Sequence, residues 1–228
     1  MKRLALALAL ACAVHCTASM AAEPAPEPDP DFGILQDGGD DNVYHGGEAP
    51  LQPGAGWLAL DVVGGRWHLL PATLRGEQAI DPIGEMNTGV RIHAEPPRAL
   101  LYLRLPGLVA GKVDTPDIRF RNHYREFVGS TAMPLAFKGR TWRFDVRRHE
   151  LLLSEGGTSM SFGQVVFPDD LDATLALMWA GDLDRDGRLD FIFEGSGKNS
   201  TEICVRLSSL AKAGELVGKA SCWRTTGC

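Results

Sequence analysis

A chain of 228 residues, 44% of them hydrophobic, can bury one sizeable core. Its formal net charge is −6, from 23 basic against 29 acidic residues. That balance excludes the basic footprint of a nucleic-acid-binding surface, so no nucleic-acid partner is expected.

The chain opens as a secretory signal. Lys2 and Arg3 precede an apolar run from Leu4 to Val14, and Ser19 and Ala21 supply small residues for cleavage after Ala21. The run is too short to anchor in a bilayer, so the mature chain is expected to carry no transmembrane segment and to be secreted or periplasmic. Cleavage before Cys12 would instead give a lipid-anchored envelope protein, although Ala9 stands where such signals usually carry Leu. Removing residues 1–21 takes away Lys2 and Arg3 and leaves 21 basic against 29 acidic residues, a formal −8.

Residues 22–56 read as a flexible segment rich in Pro, Gly and acid, with Phe32, Ile34, Leu35 and Tyr44 as its anchors onto the body. Asp37, Asp40 and Asp41 lack the alternating spacing of a cation loop. The folded body is expected to run over residues 57–228. Residues 57–63 read as a strand, Gly64-Gly65 as a turn and residues 66–70 as the return, with Pro71 limiting the ladder. Residues 76–98 read as loop, and residues 99–105 as the next strand. Residues 118–125 alternate apolar or aromatic with basic side chains, as a half-buried strand does.

Glycine turns at Gly139 and at Gly156-Gly157 mark two hairpins, over residues 135–146 and 150–167. Residues 202–207 and 216–223 form a third pair, joined by a connection with room for a helical turn. Asn199-Ser200-Thr201 matches a glycosylation sequon. The short two-charge signal reads as bacterial, which would leave that sequon unused. Short strands at this spacing indicate a mainly β fold, a single antiparallel β domain built as a sandwich or open barrel. No period of 20–50 residues repeats, which argues against a propeller.

Residues 182–190 carry the chemistry. Counting Asp182 as position one, carboxylates fall at positions one, three, five and nine: Asp182, Asp184, Asp186 and Asp190. Gly187 stands at position six, where the chain must turn, and Leu189 at position eight. Alternate side chains of a tight loop converge on one centre and offer the oxygens that calcium prefers. The Arg188 carbonyl at position seven would add another. Position twelve is Phe193 rather than Glu, and the flanks read as strands rather than helices, so this is not an EF-hand. The loop resembles those of the FG-GAP and VCBS repeats, the β-calcium-β units of integrin-type propellers. By position, the resemblance implies Asp182, Asp184, Asp186 and Asp190 as side-chain ligands of Ca2+, with Arg188 as a backbone ligand. Asp190 would take the bidentate role, and Trp179 is placed beneath the loop. The loop occurs once, so the resemblance implies a calcium-pinned hairpin and no propeller.

Of the five cysteines, Cys204, Cys222 and Cys228 outlast the signal. Export favours disulfides; Cys204–Cys222 across the last hairpin and Cys204–Cys228 are the rival pairings. No nucleophile elbow, zinc-helix or phosphate-loop motif is present. His68, His93, His123 and His149 are scattered, and Asp145 and Glu150 have no assignable partner. The function expected is that of an exported calcium-binding protein, non-enzymatic, in which the ion rigidifies a β-hairpin for binding or scaffolding toward a protein or glycan ligand. The alternatives are a calcium-stabilised secreted hydrolase acting on glycans and the lipid-anchored envelope protein.

Overall fold

The structure is a computed structural model that describes residues 33–36, 43–81, 83–84, 86–117, 125–126, 133–148, 150–164, 174–197 and 199–226. The signal, Phe32, Asp37, Asp40, Asp41, most of the 118–125 strand and Cys228 lie outside them.

The fold is mainly β and antiparallel, in three sheets. The first holds β1 (Ile34–Leu35), β2 (Val43–Tyr44), β3 (Trp57–Val63), β4 (Arg66–Ala79), β5 (Gly89–Glu95), β6 (Leu101–Leu103) and β7 (Gly111–Lys112). Its order is β1-β6-β3-β4-β5-β2, with β7 also on β4. A five-stranded sheet runs β16-β15-β14-β13-β8, from β8 (Arg125–Glu126), β13 (Thr174–Gly181), β14 (Asp190–Gly197), β15 (Ser200–Leu207) and β16 (Gly218–Thr226). A four-stranded meander, β12-β11-β10-β9, is made by β9 (Met133–Phe137), β10 (Arg140–Arg147), β11 (Glu150–Glu155) and β12 (Thr158–Gln164). A short 3₁₀ turn, Ser208–Leu210, interrupts the connection from β15 to β16. No helix among the described residues is long and apolar enough to cross a membrane.

The five-stranded sheet is the middle layer, which explains why β13 and the first half of β14 are apolar without alternation. Met178, Trp179, Ile192, Ile203, Val205 and Trp223 share one core with Trp57, Leu60, Leu69 and Tyr102 of the first sheet. Leu177, Ala180, Phe191 and Phe193 share a second core with Trp142, Phe144, Leu151 and Leu153 of the meander. Successive residues of a strand point to opposite faces, so a sheet covered on both sides needs apolar residues at both parities. A bulge between Leu177 and Trp179 puts Met178 and Trp179 into the same core, and Trp179 meets Trp67 of β4 edge to face, 6.2 Å between centroids.

Three local expectations are corrected. Pro71 does not end its strand: Ala72 still pairs with Trp57, and from Thr73 the ladder continues with β5 at the opposite edge. Residues 76–98 are therefore not all loop, because β4 runs on to Ala79 and β5 occupies Gly89–Glu95. Gly76 is there for contact rather than for a turn, since a Cβ would lie 2.3 Å from the Leu51 carbonyl oxygen. The expected anchors Ile34, Leu35 and Tyr44 do lie in the core, which therefore begins ahead of Trp57 rather than at it. Ile34 and Leu35 are fully buried on β6, Tyr44 stacks edge to face on Trp223, and the buried Glu48 ties this segment to β16. Sparse anchors suffice because each is both buried and hydrogen-bonded. The Tyr44 hydroxyl donates to the Gln36 carbonyl, and the Trp223 indole donates to the Glu48 carbonyl at 2.7 Å.

Cys204 and Cys222 face each other across β15 and β16 and form a disulfide, so the hairpin pairing is the one found.

Candidate metal centre

The acidic loop joins β13 to β14 and is nailed into both cores. Leu183 is fully buried against the first sheet and Leu189 against the meander. Gly187 has φ 88°, the left-handed turn that position six requires. At the start of the loop, a Cβ on Gly181 would fall 2.5 Å from the Trp179 ring and 2.8 Å from the Asp114 carbonyl oxygen. That glycine lets Trp179 pack under the loop and lets Asp114 bridge to Asp182, whose N–H donates to the Asp114 carbonyl at 2.8 Å.

Three of the expected ligands converge. Asp182, Asp184 and Asp190 each offer a carboxylate oxygen within 4.8 Å of the other two. Oxygens bound to one calcium at about 2.3–2.6 Å are no further apart than about 5 Å, so the spacing fits that ion. Asp182 and Asp190 are buried, 2% and 1% exposed. Asp190 accepts main-chain N–H bonds from Leu183 (2.6 Å) and Asp184 (3.3 Å) on one oxygen and from Ser208 (2.7 Å) on the other. It is thus the loop's keystone as well as a candidate ligand. Asp186 stands outside the triad; its carboxylate accepts from the Arg188 N–H and the Ser208 hydroxyl, at 2.8 and 2.7 Å. The Arg188 side chain reaches the Leu216 carbonyl at 3.1 Å.

Charge is concentrated here. Burial pushes the Asp190 carboxyl up to about 7; the nearby Asp184 carboxylate adds to the rise, and the N–H groups of Ser208 and Leu183 oppose it. A cation at the centre would favour the ionised form of all three acids, and an all-oxygen donor set suits a hard ion such as calcium or magnesium.

Partners that sequence reasoning missed come from distant segments. Ser208 and Ser209 of the 3₁₀ turn close the loop from one side, with the Ser209 hydroxyl donating to Asp184. From the other side, the ammonium of Lys138, at the turn of the β9–β10 hairpin, contacts Asp182 at 2.7 Å and Asp114 at 3.3 Å. Lys112 also holds Asp114, at 3.1 Å. The Asp182 carboxylate raises the Lys138 pKa, while Lys112 and then Lys138 lower that of Asp114. Only the acid spacing was readable as a signal, because a lysine 44 residues from Asp182 carries no mark of its partner.

No family model, no curated protein and no solved structure matches this chain.

Proposed function

We propose that this chain is an exported calcium-binding protein in which the ion rigidifies the β13–β14 hairpin, in a non-enzymatic binding or scaffolding role toward a protein or glycan ligand. The observation that carries the reading is the convergence of Asp182, Asp184 and Asp190 within 4.8 Å of one another. The resemblance of the loop to β-calcium-β units supports it, as does the anchoring of Leu183 and Leu189 in the two cores. Calcium would supply two positive charges to a cluster of two buried carboxylates and one half-buried one, and the chain's own residues would do the rest. Asp182, Asp184 and Asp190 would hold the ion, while Gly187 and the Ser208 N–H fix the loop around it. Loops that fill outside cells have dissociation constants of about 10⁻⁴–10⁻³ M, matched to the calcium an exported protein meets.

Thermal unfolding in EDTA and in 10 millimolar calcium tests the reading. At about 10–100 times the dissociation constant, mass action adds roughly 1.4–2.7 kcal/mol. For a chain of this size that raises the midpoint by about 3–10 °C. Asp184→Asn is expected to abolish the rise, whereas Asp186→Asn, outside the triad, keeps most of it. An identical wild-type midpoint in EDTA and calcium would overturn the reading.

A further inference from the structure

We propose that Lys138 is a tethered competitor for calcium at Asp182, so that filling the loop releases the tip of the β9–β10 hairpin. The inference rests on the calcium reading above and adds a regulator to that same site.

Among the described residues, Asp182 is the one member of the triad touched by a basic side chain: Lys138 Nζ lies 2.7 Å from its Oδ2. The carboxylate is 3% exposed, whereas the lysine side chain is 42% exposed, so the acid is fixed and the base is the part free to move. Lys138 sits at a hairpin turn with φ 46°, next to Gly139 at φ 77°, and its ammonium lies 5.0 Å from the Phe137 ring centroid. An alternative seat is already in reach, because the same ammonium is 3.3 Å from Asp114, which is half exposed.

An ammonium and a divalent ion cannot neutralise one carboxylate independently. The ion has twice the charge and sits closer, at about 2.3–2.6 Å, and the two cations repel each other across the shared oxygens. The ion therefore displaces the lysine toward Asp114 and solvent. Coupling of this kind is reciprocal: whatever draws Lys138 away from Asp182 tightens calcium, and calcium loosens Lys138. Its consequence reaches the meander sheet, because the displaced residue is the turn that joins β9 to β10. A purely structural ion pair would behave otherwise, stabilising the fold by the same amount whether or not calcium is present.

Calcium titration calorimetry on the full chain, with unfolding midpoints in EDTA and in calcium, tests this. Lys138→Gln removes the charge at an exposed turn while keeping a long polar side chain, and Lys138→Arg keeps the charge. Lys138→Gln is expected to bind calcium about 5- to 50-fold more tightly than wild type, with Lys138→Arg close to wild type. In EDTA the Lys138→Gln midpoint falls below wild type, and in saturating calcium the gap closes. Amide exchange at residues 138–140 of the wild type should quicken when calcium is added. If wild type binds calcium but Lys138→Gln binds it equally or more weakly, the competition is refuted and the metal site stands. If wild type gives no binding heat and no shift in midpoint, the metal reading falls and this inference with it.

Discussion

Replacing Glu48 by alanine would untie the N-terminal segment from the last strand. The side chain is 9% exposed and accepts the Thr225 hydroxyl at 2.8 Å, the Thr226 hydroxyl at 2.6 Å, the His45 N–H at 3.2 Å and the Thr226 N–H. Without the carboxylate, both hydroxyls can rotate toward water, so the loss comes mainly from the two main-chain donors. A buried donor left unmade costs about 1–3 kcal/mol. Two near the edge of the sheet lie toward the lower end of that range, or about 3 kcal/mol together. At 2–4 °C for each kcal/mol, the midpoint should fall by about 6–12 °C. Urea unfolding provides the second readout, with a lower midpoint concentration and an unchanged m-value, since the surface exposed on unfolding stays the same. A loss below about 1 kcal/mol would refute the reasoning. It would mean that burial of Ile34, Leu35 and Tyr44 holds the segment without help from Glu48.

Two further predictions concern a second buried acid and the disulfide. Asp81 is 1% exposed, and burial alone would push its carboxyl up; the N–H groups of Ile83, Gly84 and Gly46 and the His45 ring outweigh that and hold it well below the usual carboxylate range. The unfolded chain takes up this proton near pH 4 and the folded chain only at far lower pH. The stability from Asp81 is therefore present above about pH 4 and is lost as the pH falls below it. Asp81→Asn should flatten the acid limb of a midpoint-against-pH profile, and an unchanged limb would contradict the assignment. Cys204 and Cys222 close a loop of 18 residues, for which chain entropy predicts about 3 kcal/mol. The double serine variant should unfold about 6–12 °C lower. Peptide mapping of the wild type should recover the Cys204–Cys222 cross-link, and recovery of Cys204–Cys228 would overturn the pairing.

The hairpins at Gly139 and at Gly156-Gly157 were legible because a glycine turn between period-two strands is a local signal. The Cys204–Cys222 pairing was legible for the same reason, as one of two options. Residues 76–98 were read as loop, yet Gly76 lies within a strand, where it serves a close approach of Leu51 that only tertiary structure reveals. The second half of β4, Arg75 to Gln78, also carries polar side chains that resemble a loop when read alone. The segment ahead of Trp57 was read as flexible because few of its residues are apolar; Glu48 contributes through hydrogen bonds across 177 residues, which no local pattern encodes. In the loop, spacing picked out Asp182, Asp184 and Asp190 together with Asp186. It could not foresee that Asp186 would stand outside the triad, bonded to Ser208, or that Lys138 would sit on Asp182.

The middle sheet bears on whether the molecule can be divided. By chain order, residues up to Lys112 build one outer sheet, and residues from Arg125 onward build the other two. A cut between them would look natural on a map of strands. It would leave the later fragment with Met178, Trp179, Ile192, Ile203, Val205 and Trp223 facing water as one apolar surface, which favours self-association over a soluble half-protein. It would also strip the acidic loop of Asp114, whose main chain bridges to Asp182 from the earlier side. The described residues therefore behave as one unit for engineering: the two outer sheets can be exchanged or shortened only together with the sheet between them.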